Sequence, residues 1–494
     1  MTGTDVVTQS RLTRAPFSSA ADLHAEPPPA PGWTRTHYML IATVALLQML
    51  LRAEIPLGQD TLWGARWGMQ VLRSGDLPWT DTYSWTARGK PFIPNSWGWN
   101  VVLGADYGAL GVIGFWLIGA VMSLTLALTT ARAAQRLGAP PLVTIAVYAP
   151  LGLLGLEAVP RAQTLSNIAI LLIPPLLAPL LFGHRRTSTR SLVLLCVLQI
   201  VWMNLHSLAL MGPVIVTVSG VGLIVARRAE GLPTPVLRLA SGTVATALCC
   251  LITPYGIEPI THAEEVRRAS VGLVTEWEHV GFGSVAQALG LLAVAAAALP
   301  VRRAWRLGRP DTAACIALLA VCTGFAIRFL PMLAIFAAAE IALYLAGLRI
   351  RPQIFRRGVG LMVAVLSLLA TVNLRDLGSL GELVSPRLVG ELPAGCRLLN
   401  DDLVGDAVIL LRPDVAVSID GRYDMYGRQI IIRVENMFAN RPGTDGLLDA
   451  DRINCVLGPT SSQLVQALRL DRHWTVVGTD TVRTLLVRAP GASE

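Results

Sequence analysis

The sequence predicts a mainly α, polytopic membrane bundle of about 11 transmembrane helices, followed by a small C-terminal α/β domain. Three observations predict it. Hydrophobic residues make up 53% of the chain and charged residues 15%, against roughly 25% charged in soluble domains. Apolar runs of near-membrane length recur from Tyr38 to Val372, and short arginine-bearing loops separate them. From Leu377 onward short β-rich runs take their place. The predicted units are 1–36, 37–375 and 376–494, with a first outer loop at 52–101.

Residues 1–36 are polar and contain EPPPAPG at Glu26–Gly32. They read as a disordered cytoplasmic lead rather than a signal peptide, because no A-x-A site follows the first apolar run. Apolar runs then fall at Tyr38–Leu51, Ala109–Thr130, Leu142–Leu156, Leu165–Phe182, Leu192–Leu205, Leu208–Ala226, Leu239–Ile252, Val285–Val301, Ala313–Ile327, Phe329–Leu348 and Val359–Val372. Several are shorter than the ~20 residues a span needs, and adjacent uncharged residues extend them. Tight turns are expected at Asn204–Leu208 and at Arg328.

Charge sidedness sets the predicted orientation. Alternate loops carry Arg132 and Arg136, then Arg185, Arg186 and Arg190, and onward to Arg349, Arg351, Arg356 and Arg357, with few acids among them. These loops are expected in the cytoplasm under the positive-inside rule, which places the N-terminus inside and the C-terminal domain outside. The net charge of +8 therefore reflects topology and gives no ground for a nucleic-acid partner. The opposite loops carry a mixed set that includes Asp60, Asp81, Glu157, Arg161, His206, His262, Glu276 and Arg328. Any chemistry is expected on that outer side.

In the tail, strands are expected at Cys396–Asn400, Val415–Asp420, Ile453–Gly458, Trp474–Asp480 and Thr484–Arg488. Helices are expected at Val404–Leu411, Arg428–Phe438 and Ser461–Leu470. Strand–helix alternation predicts a mostly parallel sheet. Neither G-x-G-x-x-G nor a P-loop occurs, so nucleotide binding is not expected. No cysteine spacing suits a metal. Cys396 and Cys455 read as buried strand residues that folding does not require; a disulfide between them is the alternative if the tail lies outside the cytoplasm.

The first outer loop concentrates the candidates. It holds Asp60 and Asp81 among Trp63, Trp67, Trp79, Trp85, Trp97 and Trp99, half of the protein's 12 tryptophans. Tryptophan suits a membrane–water interface, so the loop is expected along the bilayer surface. Asp60 opens a predicted helix, Thr61–Ser74. It is either an N-cap or a general base whose pKa rises beside apolar rings. Asp81, in PWTDTYSW, is either a turn residue or a second catalytic carboxylate. Arg161 in VPRAQTLS and Arg328 in AIRFLP are either interfacial or clamps for a phosphate, which the guanidinium fork suits. His206 in WMNLHSLALMG is either a hydrogen-bonded structural residue or a third phosphate ligand. The acids of the loop after Cys250, Glu276 included, read as a solvated face.

The order of GQDTLWGARWGMQVLRSGDLPWTDTYSW, SWGWNVVLGADYGALG, VPRAQTLS, WMNLHSLALMG, ITPYG, VTEWEHVGF, AIRFLP and LLNDDLVGDAVILLRPDVAVSIDGRYDMYG resembles GT-C glycosyltransferases. These polytopic enzymes use polyprenyl-phosphate sugars. The match covers most of the chain beyond Arg35. It implies a long first outer loop carrying a catalytic Asp, the place that Asp60 occupies. It further implies hexosyl or pentosyl transfer with inversion to a cell-envelope glycan, glycolipid or protein at the cytoplasmic (inner) membrane. The chain departs from protein mannosyltransferases, which show adjacent Asp-Glu where Asp60 is flanked by Gln59 and Thr61. Divalent-metal dependence stays open. The alternative classes are a lipid or glycan transporter or flippase and a non-catalytic scaffold.

Overall fold

Helices form where the apolar runs fall. The computed structural model describes residues 32–51, 59–155, 161–348, 351–374, 379–381 and 384–489. The lead up to position 31, Glu157 and Arg349 lie outside the described residues. In the membrane part the helices are α1 (Arg35–Leu51), α2 (Gln59–Ser74), α3 (Trp97–Leu110), α4 (Val112–Arg136), α5 (Pro141–Gly155), α6 (Ala162–Leu172), α7 (Pro174–Phe182) and α8 (Arg185–Leu205). There follow α9 (Met211–Ala229), α10 (Val236–Cys249), α11 (Glu258–Ser270), α12 (Val285–Ala296), α13 (Ala298–Arg306), α14 (Pro310–Phe325), α15 (Leu330–Gly347) and α16 (Pro352–Asn373). Among the described residues seven segments are long and apolar enough to cross a membrane: Val112–Arg136, Ala162–Phe182, Arg185–Leu205, Ser207–Ala229, Val285–Arg306, Ile327–Gly347 and Gln353–Thr371. Four shorter apolar helices, Arg35–Leu51, Pro141–Gly152, Val236–Cys249 and Pro310–Phe325, occupy the other predicted runs. The turn between α8 and α9 is a 3-10 segment, Ser207–Leu210, and a second, Ile327–Phe329, carries Arg328.

The bundle is built around α15. Its small residues Ala334, Ala337, Ala338, Ala339 and Ala342 are buried, as are Met332, Leu333 and Ile335. Small side chains let neighbouring backbones approach closely, which drives helix association in lipid. The same device joins α2 to α3. A Cβ on Gly68 would lie 1.9 Å from the carbonyl oxygen of Asn100, and one on Gly104 would lie 2.4 Å from the Met69 nitrogen. Only glycine fits either crossing.

The C-terminal module comprises α17 (Pro386–Gly390), β1 (Leu398–Asn400), α18 (Asp402–Leu411), α19 (Tyr423–Phe438), α20 (Thr444–Ala450), β2 (Cys455–Pro459), α21 (Gln463–Leu468), β3 (Trp474–Thr479) and β4 (Arg483–Arg488). Sheet order is β1-β2-β4-β3. Only β1 and β2 pair in parallel; β2–β4 and β3–β4 are antiparallel. The expected mostly parallel sheet is thus corrected. The short turn between β3 and β4 leaves no room for a crossover, so that pair can only form a hairpin. Val415–Asp420 makes isolated bridges instead of a strand: Ala416 pairs with Arg397, and Val417 pairs with Ser84 of the first outer loop.

That second bridge attaches the loop to the module. Trp85 Nε1 donates to Leu398 O at 2.8 Å, and Trp85 N donates to Val417 O at 2.9 Å. Trp63, Trp67, Ala87 and Phe92 share one apolar core with Leu398, Val417, Ile419 and Val456. Trp67 and Trp63 are 1% and 3% exposed. They face protein and not the lipid interface, which corrects the expected role of these tryptophans. A tryptophan cluster signals that a cover is needed; it does not say whether lipid or protein supplies it.

Cys396 and Cys455 form a disulfide across the parallel β1–β2 pair, with Cα atoms 6.0 Å apart. The reading of two unpaired strand residues is corrected: register places Cys455 opposite Leu398, two residues beyond Cys396. Closing a loop over 59 positions constrains the unfolded chain by about 4 kcal/mol. Reductant, or Cys455→Ser, is expected to lower the melting transition of the module, with a mobility shift on a non-reducing gel. Equal melting with and without reductant would assign the pair no role in folding.

Candidate active site

A cavity of about 460 Å³ lies between the membrane helices and the C-terminal module. Asp60, Arg161, His206 and Arg328 all line it, together with Glu276, Trp277, Tyr423 and Asp424. Four candidates separated by up to 268 positions in the sequence thus share one wall system. Asp81 does not line it.

Asp60 lies in the first turn of α2, which begins at Gln59 rather than Thr61. The carboxylate sits at the positive end of the helix dipole, inside the helix and not at its N-cap. Half of its side-chain surface is open, and it lines the cavity. Burial among protein atoms pushes its pKa above the usual carboxylate range. Arg161 opposes that rise, and the nearby carboxylates of Glu276 and Asp424 add to it. A carboxylate so shifted gains basicity, as a general base working near neutral pH requires.

Arg161 precedes α6 with an extended backbone. Its guanidinium lies 3.6 Å from Asp60 Oδ2 and 3.8 Å from Glu276 Oε2. Ala162 and Gln163, the first residues of α6, line the cavity beside it. Glu276 sits in a 3-10 turn, Thr275–Trp277. It belongs to the cavity and not to the expected solvated face. Arg328 stacks on Trp277, 4.0 Å from the ring centroid. Its buried Nε–H has no hydrogen-bond partner among the described residues. A buried donor without an acceptor is costly, which favours occupation by an anion.

His206 is 6% exposed. Trp202 Nε1–H donates to Ser166 Oγ at 2.8 Å, and that hydroxyl lies 2.7 Å from His206 Nδ1. The contact fits a serine hydroxyl that donates to Nδ1, the arrangement in which Nε2 carries the ring proton. Burial, reinforced by the charges of Arg328 and Arg161, lowers the His206 pKa to about 3. The ring is a neutral N–H donor at every physiological pH.

Asp81 is 1% exposed. It accepts from Tyr83 N at 3.2 Å, Ser84 N at 3.0 Å and Ser84 Oγ at 2.6 Å. Arg422 Nη2 lies 2.8 Å from its Oδ1. These contacts make it a turn carboxylate and an ion-pair partner, walled off from any reactant. Of the two readings of Asp81, these contacts match the turn residue, and the catalytic one has no geometry beside it: Asp81 does not line the cavity that holds Asp60.

The sequence reading missed Tyr423 and Asp424. Both follow Arg422 in SIDGRYDMYG, a stretch that carried the family resemblance but no residue-level role. Asp424 Oδ2 lies 2.9 Å from His262 Nε2, and His262 Nδ1 lies 2.9 Å from Glu265 Oε2. The hydrogen bond to Asp424 raises the His262 pKa to about 8; burial opposes this, and Glu265 adds to it. A folded-state value above the ordinary 6.5 stabilises the fold below that pH, and the effect is lost as pH rises through 8. The shift is worth about 2 kcal/mol at most. The melting-temperature gap between wild type and His262→Gln is expected to be largest below about pH 6.5 and to close above about pH 8. A gap independent of pH would assign the contact to packing alone.

Among the described residues no group of three or more His, Cys, Asp or Glu is placed to hold a metal ion. No protein-family model matches the sequence, and no curated protein matches it. Solved structures do. ArnT from Cupriavidus metallidurans bound to undecaprenyl phosphate aligns with a TM-score of 0.56 at 14% identity, over 92% of this chain and 98% of that one. The apo state of the same protein aligns at 0.55 and 15% identity, over 91% and 97%. An oligosaccharyltransferase from Archaeoglobus fulgidus aligns at 0.49 and 9% identity, over 86% and 69%. The two ArnT alignments run nearly end to end in both molecules, so this multi-pass membrane chain has the GT-C fold of ArnT.

Proposed function

We propose that the protein is a glycosyltransferase of the cytoplasmic membrane that moves a hexose or pentose from a polyprenyl phosphate to an extracytoplasmic hydroxyl, with inversion. The observation that carries this is the single cavity in which Asp60, with its raised pKa, faces Arg161, Arg328 and neutral His206. The undecaprenyl phosphate bound to ArnT, which shares the fold, supports a lipid-phosphate donor. The arginine sidedness supports a cytoplasmic N-terminus and an outer C-terminal module. The disulfide supports the same placement, since such bonds persist in oxidising compartments.

In this mechanism Asp60 takes the proton of the acceptor hydroxyl as its oxygen forms a bond to the anomeric carbon. The bond from that carbon to the phosphate oxygen breaks on the opposite face. Its electron pair leaves with the polyprenyl phosphate. Arg161, the Arg328 Nε–H and the His206 Nε2–H stabilise the charge that grows on the leaving oxygen. His206 stays neutral, so it donates without drawing Asp60 into an ion pair.

The test is labelled undecaprenyl-phosphate sugar incubated with membranes that contain the protein. Wild type is expected to transfer label to a membrane acceptor. Arg328→Ala is expected to lower kcat/KM for the donor roughly 10- to 100-fold, the size of a lost charged hydrogen bond. Arg328→Lys is expected to recover only part, because an ammonium lacks the planar fork. Full activity in Arg328→Ala would remove that residue from the phosphate site.

A further inference from the structure

One wall of the cavity has no part in the mechanism above. The C-terminal module supplies it through Gly421, Arg422, Tyr423 and Asp424. Arg422 in this wall is paired with Asp81 and Asp420, which leaves Asp424 as its charged acceptor. Asp424 is 15% exposed by side chain, and among the described residues its one ion-pair partner is His262. His262 bridges Oδ2 of Asp424 to Glu265 and so fixes the carboxylate from the side of α11. The other oxygen, Oδ1, makes no hydrogen bond with the described residues. Tyr423, its neighbour in the chain, also lines the cavity, and its hydroxyl already donates to Asp402. With the hydroxyl engaged, the ring is what remains for a ligand.

A carboxylate repels phosphate, so the donor's charged group belongs at the Arg161–Arg328–His206 side. Asp424 suits the part of a ligand that presents hydroxyl donors. An aromatic residue and a carboxylate acceptor lining one cavity match a sugar, whose C–H face can pack on a ring while a hydroxyl reaches the oxygen. Asp424 and Asp60 line the same cavity, so a ligand held at Asp424 shares that space with the base.

We propose that Tyr423 and Asp424 form the acceptor subsite, that the acceptor is a carbohydrate with at least two free hydroxyls, and that His262 positions Asp424. This rests on the transferase reading. It assigns the C-terminal module the recognition of the acceptor, while the membrane helices hold the donor.

The experiment uses the full chain in membranes, with labelled undecaprenyl-phosphate sugar as donor and a panel of p-nitrophenyl hexosides and pentosides as acceptor probes. Asp424→Asn is expected to raise the acceptor KM about tenfold or more, as a lost charge-assisted hydrogen bond does, with donor KM unchanged. His262→Gln is expected to raise the acceptor KM by a smaller factor, and Asp424→Glu to restore part of the affinity. Retention of undecaprenyl phosphate and an intact disulfide on a non-reducing gel show that each variant is folded. A raised donor KM with normal acceptor KM would overturn the proposal and place Asp424 on the donor's sugar. Unchanged constants for both would overturn it outright. If wild type transfers no label, the transferase reading fails on its own. The subsite is then judged by saturation-transfer NMR with the same glycosides, where equal signals from wild type and Asp424→Asn would overturn it.

Discussion

Asp60→Asn is expected to cut sugar transfer by about 10²- to 10⁴-fold, the usual cost of losing a general base, while the protein still inserts and folds. The substitution keeps the shape of the side chain and removes the proton acceptor. Asp60 lies in the first turn of α2, so a structural role would come from the helix dipole, at about 0.3–1 kcal/mol. A loss that small leaves transfer and melting temperature nearly unchanged. The two roles thus predict results orders of magnitude apart. Donor binding provides the control: undecaprenyl phosphate should bind Asp60→Asn as well as wild type, because Arg161, His206 and Arg328 remain. Near-normal transfer by Asp60→Asn would remove Asp60 from the mechanism and leave the fold unchallenged.

Arg422→Met is expected to destabilise the protein by about 3–5 kcal/mol, the penalty for leaving a buried charge without its partner. Arg422 is 2% exposed. Its Nη2 lies 2.6 Å from Asp420 and 2.8 Å from Asp81, and its Nε lies 2.8 Å from Asp420. The guanidinium packs 4.9 Å from the Phe92 ring centroid and 5.2 Å from that of Tyr83. It ties the first outer loop to the C-terminal module by charge and by stacking together. Methionine would fill much of the volume and strand two buried carboxylates. Adding Asp81→Asn and Asp420→Asn to Arg422→Met should return part of the loss, since the stranded charges are then gone. By contrast the exposed Glu264–Arg267 pair on α11 should cost no more than about 1 kcal/mol to remove. Thermal melting and trypsin resistance read both cases. A melt within a degree of wild type for Arg422→Met would show that the network contributes nothing.

Much of this was legible in the sequence because lipid leaves few choices. Every backbone polar group must be satisfied inside the segment, so apolar runs become helices. Asp60, Arg161, His206 and Arg328 stood out because polar groups are expensive beside long apolar runs. What the sequence hid lies in long-range pairing. Asp81 and Asp60 sit in one loop among the same tryptophans, and only the cover over Asp81 separates their roles. That cover comes from Arg422, far along the chain. Asp424 and Tyr423 carry no local signal, because a carboxylate and a tyrosine in a soluble-looking segment read as surface. The mostly parallel sheet fails for a related reason: strand–helix alternation points to parallel order, whereas the turn at Asp480–Val482 makes the last pair a hairpin.

The bridge between Ser84 and Val417 has a consequence for how the molecule is made. Trp85 meets Leu398 across 313 positions, and Thr86 meets Ser418 across 332. A ribosome inserting this chain releases the outer loop near the start of synthesis and its cover near the end. Trp63, Trp67 and Phe92 must wait uncovered while every intervening span is threaded into the bilayer. During that interval the outer cavity has no module wall. Assembly is therefore ordered in time, with membrane insertion first and closure of the module over the loop last, and long-range closure of this kind is slow and prone to association. A chain that stops before Arg422 would leave Trp63, Trp67 and Phe92 without much of the apolar core that covers them.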